Sequence, residues 1–315
     1  MRSLFRGMGF QGPGRMGYGS FFPKGVPVNR IVAKEQLSDL VYLMKIEAPL
    51  VAESRKPGQF VILQVDADFG ERIPLTIADA DSAAGTVTIA FQPVGYSTRL
   101  LASKNVGDTL PAFLGPLGNP SEIANFGHVV CVGGGFGTAP LYPIVKALKE
   151  AGNRVTVILG YRNESLVILE REMRAVADEV IVTTDDGSRG RKGVVTLPLK
   201  EMCESASPPD RVIAIGPPIM MKFCAETTRP FGIKTIVSLN TIMIDGTGMC
   251  GGCRAVVGGE TKFVCVDGPE FDAHLVDFDN MMKRLKAFVP QEKAVLEKHA
   301  CNLLAAADRL AKEDR

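Results

Sequence analysis

The 315-residue chain contains no apolar run near the roughly 18 residues that a membrane-crossing helix requires. It also lacks a contiguous apolar stretch close to its start, so neither a spanning segment nor a secretory signal can be read. Excess charge of either sign is missing: Lys and Arg number 36, Asp and Glu 35, and the net charge is +1. That balance excludes the basic footprint of a nucleic-acid binder and the polybasic surface of a protein held on anionic lipid. Cytoplasm is the expected location, with neither nucleic acid nor membrane as partner. Four of the seven cysteines (Cys131, Cys203, Cys224 and Cys301) have no ligand spacing and read as unpaired thiols of a reducing compartment. Residues 1–28 have no acid at all, are rich in glycine and arginine, and carry too little apolar surface to fold alone. A flexible extension is expected there, with docking of its Phe, Met and Tyr side chains on a partner as the alternative.

The other three cysteines are ordered. Asp245, Cys250, Cys253 and Cys265 follow D-x4-C-x2-C-x11-C, the spacing of a plant-type [2Fe–2S] loop whose first cysteine has become aspartate. Glycines at 246, 248, 251 and 252 suit a backbone curled tightly round an inorganic core. Beyond Cys253, two β-rich runs about Gly258-Gly259 predict a hairpin that returns Cys265 beside Cys253. The fourth ligand is then Asp245 or a residue from elsewhere, and a carboxylate there is harder and less covalent than a thiolate. The same residues also suit a structural zinc site.

Residues 29–126 read as short strands punctuated by Pro-Gly turns, which predicts a small antiparallel barrel. Two of its segments carry chemistry. Arg72, Pro74, Leu75, Thr76 and Ile77 set an arginine four residues before a hydroxyl, as suits a pyrophosphate beside a flat apolar ring. Gln92, Gly95, Ser97 and Thr98 offer backbone N–H groups and hydroxyls opening a short helix, Thr98–Ser103, whose N-terminus favours an anion. A solvated edge arginine and an ordinary helix cap are the plainer readings.

From His128 the text alternates between buried strand and amphipathic helix, which predicts a parallel sheet with helices on its faces. Helix is expected over 138–149, with Thr138 as N-cap and Pro140 in the first turn, and again over 165–176. Gly133, Gly134, Gly135 and Gly137 would let a pyrophosphate approach the backbone before Thr138. Their spacing departs from G-x-G-x-x-G and no acid stands at 160–163, so a close-packed turn without nucleotide is the other reading. Two further turns face the strand carboxyl ends, one with Asp185 and Asp186, the other with Gly216, Pro217 and Met220. Arg162 lies where a 2′-phosphate would sit.

In this order the modules resemble the ferredoxin-reductase-like electron-transfer subunits. That family includes the electron-transfer subunit of dihydroorotate dehydrogenase and the small subunit of NADH-dependent ferredoxin:NADP oxidoreductase. The likeness covers about residues 29–290 and is most specific at 72–79, 184–196, 214–222 and 245–279. It implies a β barrel plus α/β architecture: a flexible extension at 1–28, an FAD-binding barrel at 29–126, an NAD(P)-binding domain at 127–236, a [2Fe–2S] module at 237–279 and a helical tail at 280–315. It implies Arg72, Pro74, Leu75 and Thr76 on FAD, and likens Gly95 to Thr98 to the G-x-G-T flavin-phosphate turn, with Ser97 replacing a glycine. Dihydroorotate-type members carry a cysteine where this chain has Asp245, so the resemblance leans toward the ferredoxin:NADP oxidoreductase branch. The implied cofactors are FAD, a [2Fe–2S] cluster and NAD(H), with NADP(H) open. The implied partner is a larger iron–sulfur flavoprotein that meets ferredoxin, a pairing that permits electron bifurcation. No general acid or base is expected, because the work is cofactor positioning. The acids of 266–279 read as a solvated face or a docking surface. Delivery of electrons to dihydroorotate dehydrogenase and a non-catalytic nucleotide-binding module with zinc are the competing functions.

Overall fold

The computed structural model describes residues 29–67 and 70–297. The expectations for 1–28, for Cys301 and for the end of the tail lie outside the described residues. Strands β1 (Ile31–Ser38), β2 (Val41–Glu47), β3 (Phe60–Gln64), β4 (Arg72–Asp81), β5 (Thr86–Phe91) and β6 (Ala112–Leu117) form an antiparallel sheet in the order β1-β2-β5-β4-β3-β6. An antiparallel bridge between Arg30 and Thr109 brings the two edges together, as in a barrel. Strand β4 turns a corner: its first half pairs with β3 and its second half with β5. Pro74, which has no N–H to give to a ladder, sits in the half paired to β3 alone. Helix α1 (Pro49–Ser54) packs on β5, and α2 (Tyr96–Ser103) follows it in the chain. The expected start of α2 at Thr98 is two residues late. Thr98 Oγ1 accepts the Gly95 N–H at 3.0 Å, which makes Gly95 the cap and Tyr96 the first helical residue.

The second unit runs β7 (His128–Gly134), α3 (Thr138–Glu150), β8 (Arg154–Tyr161), α4 (Glu170–Val176), β9 (Glu179–Thr184), β10 (Arg191–Lys192), α5 (Thr196–Cys203), β11 (Arg211–Ile215), α6 (Pro218–Thr228) and β12 (Lys234–Ser238). The strands pair in parallel in the order β10-β9-β8-β7-β11-β12. Val130 and Val132 of β7 enter one apolar layer while Val129 and Cys131 enter the other, so both faces of the strand are covered and its text is apolar throughout. Two local expectations are corrected. Thr138 does not cap α3; it is the first helical residue, fully buried, with its hydroxyl 2.9 Å from that of Tyr161, and Gly137 precedes it as the cap. Helix does not span 165–176 either. A single turn at Glu164–Leu166 is followed by non-helical chain up to Leu169 (φ 56°), and α4 begins only at Glu170. Ile168 is buried in the core and its carbonyl accepts the Tyr161 hydroxyl at 2.9 Å, an anchor that a helical path would break.

The last unit contains the hairpin β13 (Arg254–Val257) and β14 (Glu260–Phe263), the single turn α7 (Val264–Asp267), β15 (Glu270–Asp272) and α8 (Phe278–Leu285). Its hairpin closes on Gly258 (φ 61°) and Gly259 (φ 82°), the two-residue turn whose twist matches its strands. Strand β15 pairs antiparallel with β12 and extends the parallel sheet to seven strands. From the barrel side, Asn119 donates its N–H to Gly268 O at 2.7 Å and its side-chain amide to Val266 O at 3.1 Å. Glu270 meets Ser121 Oγ at 2.5 Å. The segment 266–272 is thus held by both larger units.

The acids here make local ties, although Asp267, Asp277 and Asp279 also face solvent. Asp267 accepts Phe263 N–H, Asp272 accepts His274 N–H, Asp277 caps α8 through Asn280 N–H, and Asp279 pairs with Lys222. Helix α8 starts at Phe278, and residues 289–297 are again helical. Among the described residues no helix is long and apolar enough to cross a membrane.

Candidate cofactor and metal site

Residues opposite each other in an antiparallel pair share a face. Gln64 lies opposite Arg72, Ile62 opposite Pro74 and Phe60 opposite Thr76, so Arg72, Pro74 and Thr76 look outward from the barrel. Phe60 and Ile62 on that face join the apolar layer shared with the other two units. Ile73, Leu75 and Ile77 belong to the barrel core. Of the five candidates on β4, Ile77 is buried in the core and Leu75 packs against it, so what these two leave for a ligand is chiefly main chain. The second candidate segment is tied to the start of this strand. Ser97, buried, donates its hydroxyl to Glu71 Oε2 at 2.9 Å. Glu71, whose role nothing in the local sequence signals, thus brings Arg72 to the Gly95–Thr98 turn. The expectation of a free Gly95 N–H and a free Ser97 hydroxyl does not hold, since Thr98 and Glu71 engage them. Half-buried Gln92 turns the chain between β5 and α2, its carbonyl accepting Val94 N–H.

The glycine turn after β7 divides its labour. A Cβ on Gly134 would lie 2.3 Å from Met220 Sδ and 3.0 Å from Pro217, and one on Gly137 would lie 2.2 Å from Ile215 O. Gly133 is confined by Thr138, Leu141 and Leu159, and Gly216 by Met220 and Gly134. These glycines let the turns after β7 and β11 press together. Gly135 differs: its φ is 53° and an added Cβ would meet no described atom within 4 Å, so its backbone faces open space. Close packing and open backbone thus belong to different glycines of one turn. The turn also reaches the barrel, because Ala139 in the first turn of α3 packs on Ala78 and Ala90, with Phe136 against them. Three alanines make that approach short.

Asp185 and Asp186 follow β9 on the same edge of the sheet, their N–H groups bonded to the Tyr161 and Arg162 carbonyls at 3.0 and 3.3 Å. Both side chains are exposed. The Ser188 hydroxyl and N–H, at 2.6 and 2.9 Å, hold the Asp186 carboxyl below its ordinary range.

The cysteine loop is built on Asp245. Its Oδ1 accepts Thr247 N–H at 2.9 Å and its Oδ2 accepts Cys250 N–H at 2.7 Å. The Thr247 N–H first, then that of Cys250, keep its carboxyl ionised below the ordinary range. Gly252 N–H reaches Cys250 Sγ at 3.4 Å, which leaves Cys250 exposed at the loop tip. The hairpin returns Cys265 to Cys253, both buried, with sulfurs 3.3 Å apart. Burial, with Cys253 beside it, pushes the Cys265 thiol up to about 12, so metal binding must displace its proton.

Asp245 therefore stands with Cys250, and Cys253 with Cys265. Among the described residues no set of three or more His, Cys, Asp or Glu side chains could hold a single ion. A two-iron core spans a wider cage, with two protein ligands on each iron. Two sulfurs on one tetrahedral centre lie about 3.8 Å apart for ~2.3 Å bonds, close to the Cys253–Cys265 separation. The donor set fits a two-iron cluster better than one zinc ion.

The loop is pressed on the barrel through Gly246 (φ 74°), where a Cβ would lie 2.7 Å from Ile62 Cγ1 and 2.9 Å from Leu117 Cδ1. Ile62 is the partner of Pro74 across β3 and β4. One side of β4 thus adjoins the glycine turn, and through Ile62 its outward face adjoins the cysteine loop.

Comparison with known proteins agrees with this arrangement. Residues 240–277 match the iron–sulfur cluster binding domain of dihydroorotate dehydrogenase B, and 131–226 match the oxidoreductase NAD-binding domain. The dihydroorotate dehydrogenase B (NAD(+)) electron transfer subunit homolog of Thermotoga maritima is 47% identical over 274 residues, 87% of this chain and 96% of its own length. This chain belongs to the dihydroorotate dehydrogenase B electron-transfer subunit family. A Clostridium beijerinckii relative, described only as an uncharacterized protein in the adh 3′ region, is 51% identical over 277 residues, 85% of this chain and 93% of its own. A chain from the structure of the NADH-dependent reduced ferredoxin-NADP oxidoreductase, solved for insight into flavin-based electron bifurcation, superposes with TM-score 0.82 at 46% identity. It covers 88% of this chain and 100% of that one. The electron-transfer subunit family is one of oxidoreductases, and its equipment is flavin, nicotinamide dinucleotide and an iron–sulfur cluster. The ferredoxin-reductase-like architecture expected from the sequence is the one observed.

Proposed function

We propose that this chain passes electrons between NAD(H), FAD and a [2Fe–2S] cluster as the smaller subunit of a heteromeric NADH-dependent ferredoxin:NADP oxidoreductase. The observation that carries this reading is the double contact of the flavin strand, with Ala139 and Phe136 on one side and Gly246 through Ile62 on the other. Arg72, Pro74 and Thr76, the main chain of Leu75 and Ile77, and the turn of Gln92, Gly95, Ser97 and Thr98 hold FAD. Gly133, Gly134, Gly135, Gly137, Thr138, Asp185, Asp186, Gly216, Pro217 and Met220 shape the nicotinamide dinucleotide cleft, with Gly135 offering its open backbone. Asp245, Cys250, Cys253 and Cys265 ligate the cluster. Bound there, FAD converts the two-electron chemistry of nicotinamide into the one-electron chemistry of iron.

The chain's own part is positioning: it shields the flavin strand with Phe136 and keeps the cysteine loop on β3. The reading takes NADH as the dinucleotide, in line with the NADH-dependent relative, and leaves exposed Arg162 to solvent. A larger iron–sulfur flavoprotein is the partner, with ferredoxin reached through it. The module boundaries at 28, 126, 236 and 279 and a cytoplasmic location belong to the same reading. Asp245, standing at the position of a thiolate, favours this assembly over delivery to dihydroorotate dehydrogenase.

The test is an anaerobic NADH titration of the purified chain, followed by visible absorbance and low-temperature EPR, with flavin, iron and sulfide quantified. Flavin bleaching together with a reducible two-iron signal is expected. A reconstituted sample holding no flavin, iron or sulfide refutes the proposal.

A further inference from the structure

Two guanidinium groups stand behind the cysteine loop without acids to answer them. Arg284, in the last turn of α8, donates through Nη2 to Gly252 O at 3.3 Å. Arg254 follows Cys253 at the start of β13, and its Nη1 would lie 3.1 Å from a Cβ placed on Gly251. Both line one cavity of about 220 Å³, walled also by Gly252, Ile242, Met281 and Leu285. Among the described residues neither arginine forms an ion pair, while Asp277 is spent as the cap of α8 and Asp279 on Lys222. Like charges gathered at one peptide turn repel each other, and a standing negative charge beside them would offset that repulsion. On the same turn, Gly252 N–H meets Cys250 Sγ.

We propose that Arg284 and Arg254 raise the reduction potential of the [2Fe–2S] cluster by offsetting the negative charge that the site gains when it takes an electron. The proposal rests on the cluster assignment above. In the step concerned the cluster site would gain one electron, an acceptance that in itself makes and breaks no bond. The site, already negative from three thiolates and a carboxylate, becomes more negative by one charge, and a fixed cation favours that state over the oxidised one. Arg284 acts from a half-buried position that salt screens weakly, whereas Arg254 is exposed and is screened increasingly as salt rises. Their removal moves the electron back toward flavin. Both are positioning residues: neither touches the reacting atoms.

The experiment is an EPR-monitored redox titration of the full cofactor-loaded chain and its Arg284→Gln, Arg284→Lys and Arg254→Gln variants, each at low and high salt. Arg284→Gln is expected to change the electron partition about tenfold, a fall of about 59 mV for a one-electron couple, and Arg284→Lys to retain most of the wild-type midpoint. Arg254→Gln is expected to show a smaller fall that disappears at high salt. Unchanged midpoints in both glutamine variants overturn the proposal. Should Arg284→Gln lose its cluster, Arg254→Gln decides, and an unchanged low-salt midpoint there is equally fatal. A wild-type chain that takes up neither iron nor sulfide brings down the cluster assignment itself, a failure visible before any midpoint is compared.

Discussion

Replacing Gly246 with alanine tests the contact that joins the cysteine loop to the flavin strand. At φ 74° an L-residue costs about 1–2 kcal/mol of backbone strain. The added methyl would sit 2.7 Å from Ile62 Cγ1 and 2.9 Å from Leu117 Cδ1. Ile62 is fully buried in β3 and cannot swing aside, so overpacking adds about 1–3 kcal/mol. Gly259→Ala is the control, because Gly259 has φ 82° but a Cβ there would meet nothing within 4 Å, so it carries the strain without the clash. The comparison isolates the contact. Gly246→Ala is expected to lower the melting temperature more than Gly259→Ala and to slow cluster reduction after stopped-flow mixing with NADH, while flavin bleaching stays fast. If Gly246→Ala keeps wild-type stability and transfer rate, or if the control is equally damaged, the loop is not held on β3 by this contact.

Four further outcomes follow from the same geometry. Asp245→Ala removes the acceptor of two backbone N–H bonds, about 1–3 kcal/mol of loop order, and should lower iron per chain. Asp245→Cys should keep the cluster and shift its midpoint, and an unchanged EPR spectrum and midpoint would count against ligation. Glu270→Gln tests a carboxyl whose value burial raises above 4.5. Such a group contributes its full stability below 4.5 and loses it as pH rises through the raised value, so the variant should gain on wild type above that window and match it below, read as melting temperature against pH. Ser97→Ala frees Glu71 and should weaken flavin retention about tenfold, for a charged hydrogen bond of about 1.5–3 kcal/mol; flavin release by ultrafiltration at wild-type levels would show that the tie does not shape the flavin turn.

Much of the architecture was legible because its causes are local. Alternating text in β5, the apolar runs of β3, β7, β8 and β11, and the Gly258-Gly259 hairpin each follow from periodicity or turn chemistry within a few residues. What failed depended on distant partners. Thr138 was readable as a cap by type, but Tyr161 draws its hydroxyl inward. Helix over 165–176 fits the local text, yet the Tyr161 anchor on Ile168 delays it to Glu170. Of the acids near 270, Glu270 is the one drawn inward, by Ser121 from another unit. Leu75 and Ile77 belong to a flavin-like motif, and only the pairing of β3 with β4 shows which face of the strand is core.

The sequence by itself marked out the proposed ligands, because spacing along a short loop limits which side chains reach a common centre. It determined the succession of barrel, parallel sheet and cysteine loop for the same reason, since each arises from short-range pattern. Tertiary structure alone decided how the three sites connect. Gly246 against Ile62, Ala139 against Ala78 and Ala90, and Arg284 on Gly252 join residues far apart in the chain. Such contacts are selected by shape and burial when the units pack together, and no local periodicity encodes them.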